Sequence, residues 1–365
     1  MKLPAKTEII RQYILTEIGG EQADAFINVY YLPLKDKFAK KAGELIEQGY
    51  LVKDVYASII GPIAGKTDMV YYQKLNEPYR LGEVSIIETK KYEENPYAKL
   101  LGNLKKAKMG PYVLQMESLP AYRPFVFSTK TVLDDKNYRD ISPLAAFSTP
   151  FRFPSLRLRN RIWMSLVPHE IETMESAIEE ASGNVLTYGL GLGYFAFMAS
   201  QKENVDKVTV IEKDPKVIAL FQKHLLPLFP HKEKIFVCQA DALEFAAAKP
   251  SGFTYCFADL WHNPEDGLPL YLKLKKMEFC PTSYWIEKDI LVYFRRHLIA
   301  LIDEESKGAK DKDYLHPKNF SEQLLGALHA HLSKKTIDGE RDLHGLLSEE
   351  SLKRIAATIR IQENI

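Results

Sequence analysis

Between residues 184 and 302 short apolar runs alternate with stretches of helical spacing, and this alternation constrains the fold more than any other feature of the chain. Apolar runs at 184–188, 207–211, 234–239, 255–258 and 282–286 are followed by helical patterns at 194–201, 215–226, 242–248, 268–277 and 289–302. A further helix over 171–181 leads into the first run. Strand followed by helix, repeated, calls for right-handed crossovers and a parallel sheet covered on both faces. The expectation is a three-layer α/β domain with parallel strands in the order 3-2-1-4-5. No run after Ile302 qualifies as a sixth or seventh strand.

The rest of the chain is organised differently. Residues 5–48 read as helices; within 35–48, Phe38, Ala42, Leu45 and Ile46 recur at three- and four-residue spacing and share a face. From about 50 to 166 runs rich in Tyr, Val, Ile and Phe are broken by Pro and Gly, and 56–60, 69–72, 83–87, 112–116 and 124–127 read as strands. A turn at Asn160 separates 151–158 from 161–166, a hairpin into the next domain. The charged segment 303–312 reads as an exposed connection, and Ser348 as the N-cap of a last helix over 349–358. A length of 365 residues suits two or three domains. The expected division is an N-terminal α+β domain (1–150, a candidate substrate lid), the hairpin plus sheet domain (151–305) and a helical tail (306–365).

Composition excludes several classes of partner. With 49 basic and 48 acidic residues the net charge is +1, which argues against bulk nucleic acid or an anionic membrane as the main partner. No run reaches the roughly 18 apolar residues that span a bilayer, and the first twenty residues lack the apolar stretch of a signal peptide. Cys238, Cys256 and Cys280 form no CxxC pair, so neither a disulfide framework nor a zinc site is indicated. A cytoplasmic protein without a metal is expected, acting on a small molecule or a protein, with a homodimer left open.

The strongest chemical signal is Val185-Leu186-Thr187-Tyr188-Gly189-Leu190-Gly191-Leu192-Gly193, an apolar strand running through three alternate glycines into a helix. Glycine suits a chain that turns sharply while a ligand lies against its backbone, where a Cβ would intrude. Glu212 ends the second strand, near the roughly 20-residue offset at which an acid accepts from ribose hydroxyls. Asp241, followed by Ala242, ends the third strand, and Asp259 the fourth. Ligands of open α/β sheets bind outside the carboxyl ends of the strands, so four successive loops at one edge form a more specific pattern than any one of them. A dinucleotide fingerprint needs glycine at 194, where this chain has Tyr194.

Other motifs do not hold up. Gly61–Thr67 mimics a phosphate-binding loop, but its first glycine is one residue too close and no helix is expected after it, so a hairpin turn is the better account. Arg157, Arg159 and Arg161 alternate as on one solvated strand face, and Lys105, Lys106 and Lys108 read as an exposed helix end. His329 and His331 would stand about 200° apart on a helix, too far round for a metal pair.

Residues 184–290 resemble the class I S-adenosylmethionine-dependent methyltransferase fold, a Rossmann-like doubly wound sheet. The resemblance covers the glycine motif Gly189–Gly193, ribose acid Glu212, adenine-side Asp241 and fourth-strand Asp259. Within it, the spermidine synthase-like subgroup is the nearest, through the preceding β-hairpin and the pair His169-Glu170. The resemblance implies S-adenosylmethionine as cofactor, with Gly189, Gly191, Gly193, Glu212, Asp241, Ala242 and Asp259 around it. The chain departs from the family in places. Thr187 stands where most methyltransferases carry a first-strand acid, Leu192 where spermidine synthases carry a loop Asp, and Asp259-Leu260-Trp261-His262 where they carry Asp-Ser-x-Asp.

Methyl transfer to a small molecule or a protein is therefore the first expectation. Aminopropyl transfer from the decarboxylated cofactor is the second, and a non-catalytic cofactor-binding module the third. A sulfonium methyl is already electrophilic, so the protein mainly aligns the nucleophile, and a base helps only where a proton must leave. Asp259 and His262 are the catalytic candidates, with His169, Glu170 and Trp261 toward the substrate. Each has a plainer alternative: Asp259 as a turn cap, His262 as a solvated loop residue, Trp261 as packing, and Glu170 as a charge at a helix start.

Overall fold

The computed structural model describes residues 7–307 and 313–361. Its first part is helical: α1 (Thr7–Phe26) continues into a π-turn at Ile27–Tyr31, followed by α2 (Asp36–Glu47) and α3 (Val52–Tyr79). Helix α3 replaces the strands expected at 56–60 and 69–72. Val55, Tyr56, Ile59 and Ile60, then Tyr72, Leu75 and Tyr79, are all buried. That is helical spacing, so β-branched and aromatic residues here fill a helix face rather than a strand. The phosphate-loop mimic is likewise no hairpin turn; it falls where α3 kinks, at Gly65 with φ 72° and ψ −178°.

A run of short elements follows: β1 (Val84–Ile87), α4 (Lys90–Glu93), α5 (Pro96–Leu101), β2 (Ala107–Met109), β3 (Tyr112–Leu119), β4 (Phe125–Val126), β5 (Thr131–Asp134), β6 (Arg139–Ile141), β7 (Leu144–Phe147), β8 (Phe151–Leu158) and β9 (Arg161–Ser165). They build three small sheets, β1-β7-β4, β2-β3-β8-β9 and β5-β6. Lys105 and Lys106 are exposed in the connection after α5 and Lys108 lies in β2, so none of the three ends a helix as expected. The three arginines do not share a face. Arg157 is in β8 and bonds Glu117 at 2.9 Å, Arg159 takes the turn at φ 56°, and Arg161 opens β9.

The second half alternates as its sequence pattern requires: α6 (Pro168–Glu180), β10 (Gly183–Tyr188), α7 (Tyr194–Ser200), β11 (Val205–Glu212), α8 (Pro215–His224), β12 (Ile235–Gln239), α9 (Ala242–Ala247), β13 (Tyr255–Ala258), α10 (Pro264–Lys276), β14 (Thr282–Tyr284) and α11 (Glu287–Lys307). The sheet runs β12-β11-β10-β13-β14, every pair parallel, and the order reverses between β10 and β13. A crevice opens at such a reversal because successive crossovers leave on opposite faces. Helix α11 extends through Lys307, so the first part of the expected exposed connection is helical; residues 308–312 lie outside the described ones. The tail holds α12 (Phe320–Leu332), α13 (Glu340–Leu347) and α14 (Glu349–Thr358), and the Ser348 hydroxyl accepts from the Ser351 N–H at 3.3 Å as the cap of α14.

Two apolar clusters form the interior. The larger surrounds the parallel sheet and reaches back across residue 150 to Tyr92, Tyr97, Leu114 and Phe147; the smaller lies between α1, α3 and the β1-β7-β4 sheet. Charges join the two. Arg295 of α11 pairs with Asp140 of β6, both buried, and Arg296 bonds Glu17 and Asp24 of α1. Among the described residues no helix is long and apolar enough to cross a membrane, and no group of three or more His, Cys, Asp or Glu could hold a metal ion.

Candidate ligand-binding site

The glycine loop takes the conformation its sequence demands. Gly189, Gly191 and Gly193 have φ of 93°, 52° and 79°, all in the region that side chains disfavour. What stands beside them differs from the sequence reading, because protein and not open space adjoins each one. A Cβ on Gly189 would come within 2.0 Å of the Asp259 carbonyl oxygen, one on Gly193 within 2.4 Å of the Phe221 ring, and one on Gly191 within 2.2 Å of the Met164 methyl. Gly189 and Gly193 allow β10 to close on β13 and α7 to pack on α8, a tertiary requirement. Segments outside the sheet hold the loop: the Tyr97 hydroxyl donates to the Leu192 carbonyl, and Asn95 donates to the Tyr194 hydroxyl at 3.0 Å.

Two cavities meet at this edge. The outer one, about 360 Å³, lies beside the loop and is lined by Gly189, Gly191, Glu212, Asp241, Ala242, Asp259, Trp261 and His262 among others. Glu212 points at the loop: one carboxylate oxygen accepts from the Leu190 N–H at 3.2 Å, the other from the Asp214 N–H at 2.8 Å. A carboxylate has about four acceptor positions, so two remain for a ligand. Asp241 caps α9, one oxygen accepting from Leu243 and Glu244, while its second oxygen has no hydrogen bond to a described residue. Asp214, which the sequence reading passed over, caps α8 and accepts from the Tyr112 hydroxyl at 2.7 Å, tying β3 to the cleft wall.

The inner cavity is small, about 30 Å³, and lined by Glu170, Asp259, Thr187, Ser165, Met174 and Met164 among others. Burial pushes the Asp259 carboxyl up to about 7. Burial, reinforced by the charge of Asp259, also raises Glu170 well above the carboxylate range. Two acids therefore line one small cavity, and desolvation there disfavours the charged form of each. Sequence reading named both residues but gave no sign that they face each other.

The remaining candidates fall into place as follows. His262 is exposed at the cleft mouth; its Nδ1 meets Asp266 at 3.0 Å and its ring stands edge-on to Trp163 with centroids 4.1 Å apart. Trp261 is buried, and its indole N–H donates to the Trp285 carbonyl at 3.1 Å, so it is a fixed wall of the cleft. His169 is not among the residues lining either cavity. Its ring lies edge-on to Trp285, its Nδ1 has no partner, and burial lowers its pKa to about 4. Trp163 and Met164 were absent from the sequence reading, since an exposed-looking hairpin strand carries no local mark of what it folds against.

No family model and no curated protein matches this chain. Among solved structures, the spermidine synthase of Thermotoga maritima is similar at 15% identity with a TM-score of 0.29, over 38% of this chain and 57% of that one.

Proposed function

We propose that the outer cleft binds S-adenosylmethionine and that the protein transfers its methyl group to a small-molecule or protein acceptor. The observation that carries the reading is the convergence, at the reversal point of a parallel sheet, of a glycine loop with the acids of three consecutive strand ends: Glu212, Asp241 and Asp259. The donor set fits such a group. Glu212 retains acceptor capacity for two ribose hydroxyls, Asp241 presents a free oxygen, and a cleft of about 360 Å³ lies within the usual range for ligand sites. The bound cofactor would supply an electrophilic sulfonium methyl.

The chain's own residues would orient and deprotonate. Trp261, fixed by its bond to Trp285, walls the cleft and keeps water from that side. Asp259, titrating near 7, suits removal of a proton from an acceptor at neutral pH. His262, oriented by Asp266, stands at the mouth where a proton would leave for solvent. A second reading, aminopropyl transfer from the decarboxylated cofactor, draws support from the carboxyl pair Glu170 and Asp259, which suits an amine. Calorimetry with S-adenosylmethionine, its decarboxylated form and S-adenosylhomocysteine tests both. Tight binding of the first and third supports methyl transfer; preference for the decarboxylated form overturns it in favour of the second reading. Absence of binding by all three removes both.

A further inference from the structure

Helix α1 is apolar on two opposite sides. Ile10, Tyr13, Ala23 and Phe26 turn inward and are buried. On the far side Leu15, Ile18 and Val29 are 54%, 44% and 58% exposed, and Gln22 and Ala25 between them are exposed as well. Together with Arg11, also exposed, these residues recur at alternating spacings of four and three. At about 100° per residue, positions 11 to 25 of this series fall within an arc of about 80°. One apolar stripe holds a helix on its own core; a second stripe at heptad spacing is the pattern of a seam with another helix.

The same surface carries a matching socket. Gln22, Ala25, Phe26 and Val29 stand at i, i+3, i+4 and i+7, the four corners of a hole that accepts one knob from a facing helix. An open groove of about 270 Å³ lies there, its walls completed by Tyr30, Asp68 and Leu75. Leu15 is a knob on the same stripe, but it sits about 15 Å along the helix from Ala25 and cannot fill its own socket. The Tyr30 hydroxyl donates to the Asp68 carboxylate, which places an acid at the groove. Arg11, one turn before Leu15, pairs loosely with Glu8 at 3.9 Å.

We propose that the occupant of this face is a second copy of the chain, the two α1 helices crossing antiparallel about a two-fold axis at the level of Gly20. In that register Leu15 of each copy stands opposite Ala25 of the other and fills its socket. Arg11 stands opposite Val29, beside the Asp68 carboxylate. Ile18 meets Gln22, a polar residue whose place in the seam fixes the register at some cost in affinity. The contact uses the same patch on both copies, so it closes at two. A parallel pairing would set Arg11 against Arg11 and leave both sockets empty. The leucines supply the affinity, and the exposed ion pairs supply the orientation. This interface is independent of what the cleft binds.

Sedimentation equilibrium of the full chain tests the interface. A dimer is expected, and a monomer at concentrations up to about 0.1 mM overturns the proposal. Leu15→Lys alters an exposed position and should keep the circular dichroism of the parent chain. It should weaken the dimer by at least about a hundredfold, since two leucines leave the seam. The charge pair gives a second reading that does not depend on the folding of Leu15→Lys. Arg11→Asp and Asp68→Arg should each weaken association, and their combination should restore it to within about threefold of the parent. A dimer indifferent to Leu15→Lys, or a combination no tighter than either single variant, overturns the interface. Disulfide trapping in a Cys238→Ser background reads the register. Leu15→Cys mixed with Ala25→Cys should cross-link on oxidation while neither does so alone; Leu15→Cys cross-linking to itself would show a parallel seam and overturn the arrangement. A monomer that floats with phosphatidylcholine vesicles, and no longer does so after Leu15→Lys, would assign the stripe to a lipid surface and overturn the dimer.

Discussion

Replacing Asp259 by Asn should stabilise the protein, and only above a defined pH. The Asp259 carboxyl titrates near 7 in the folded chain because burial disfavours its charge, against about 4 when unfolded. Below about pH 4 both states hold the proton and the group contributes nothing to the pH dependence. As pH rises from about 4 to 7 the unfolded chain releases its proton while the folded chain keeps it, so the unfolded state binds fewer protons and stability falls. A displacement of about three units corresponds to about 4 kcal/mol lost by pH 8. Asn has nearly the shape of the protonated acid and never ionises, so the variant escapes this loss. It also removes the charge that helps to raise Glu170. Urea unfolding of both proteins at pH 4, 6 and 8, compared at equal slope, reads the effect directly. Equal stability at pH 4 is expected, with the variant ahead by up to about 4 kcal/mol at pH 8. A variant less stable at pH 8, or a difference independent of pH, would refute the reasoning by showing that the carboxylate has a structural partner.

Other perturbations test other parts of the structure. Gly189→Ala places a side chain at φ 93° and against the Asp259 carbonyl, and should cost about 2–4 kcal/mol in denaturant unfolding. Glu212→Ala should weaken S-adenosylmethionine binding by about 1–3 kcal/mol in calorimetry, and an unchanged affinity would remove the ribose assignment. Asp140→Ala leaves Arg295 charged and buried without its partner, which should destabilise the protein by about 3–5 kcal/mol; a loss under about 1 kcal/mol would mean that water reaches the guanidinium. Ser348→Ala removes the cap of α14 and should cost about 1 kcal/mol, seen as a small fall in the unfolding midpoint.

Much of the sheet was legible because its signals are local. Strands 183–188, 205–212, 235–239 and 255–258 and the helices between them lie within a few residues of the positions read from periodicity. The Gly189–Gly193 turn, Glu212 at its strand end and Ser348 at its helix start depend on neighbours close in sequence. Periodicity was misread in α3, where clustered Tyr, Val and Ile imitated strands although their burial spacing is helical; short apolar runs suit either element until a partner surface selects one. The small sheets of residues 84–165 were half seen, since β2 and β5 to β7 are too short to show a period.

The sequence by itself determined the alternation, the positive-φ turn and the acids at the strand ends, because each is dictated by the backbone or side chains of adjacent residues. Only the tertiary structure decided that Asp259 and Gly189 touch, that Glu170 and Asp259 line one cavity, and that Met164 lies against the glycine loop. Those relations join residues from separate elements. Their energies arise from desolvation and close contact, which exist only once the chain has folded.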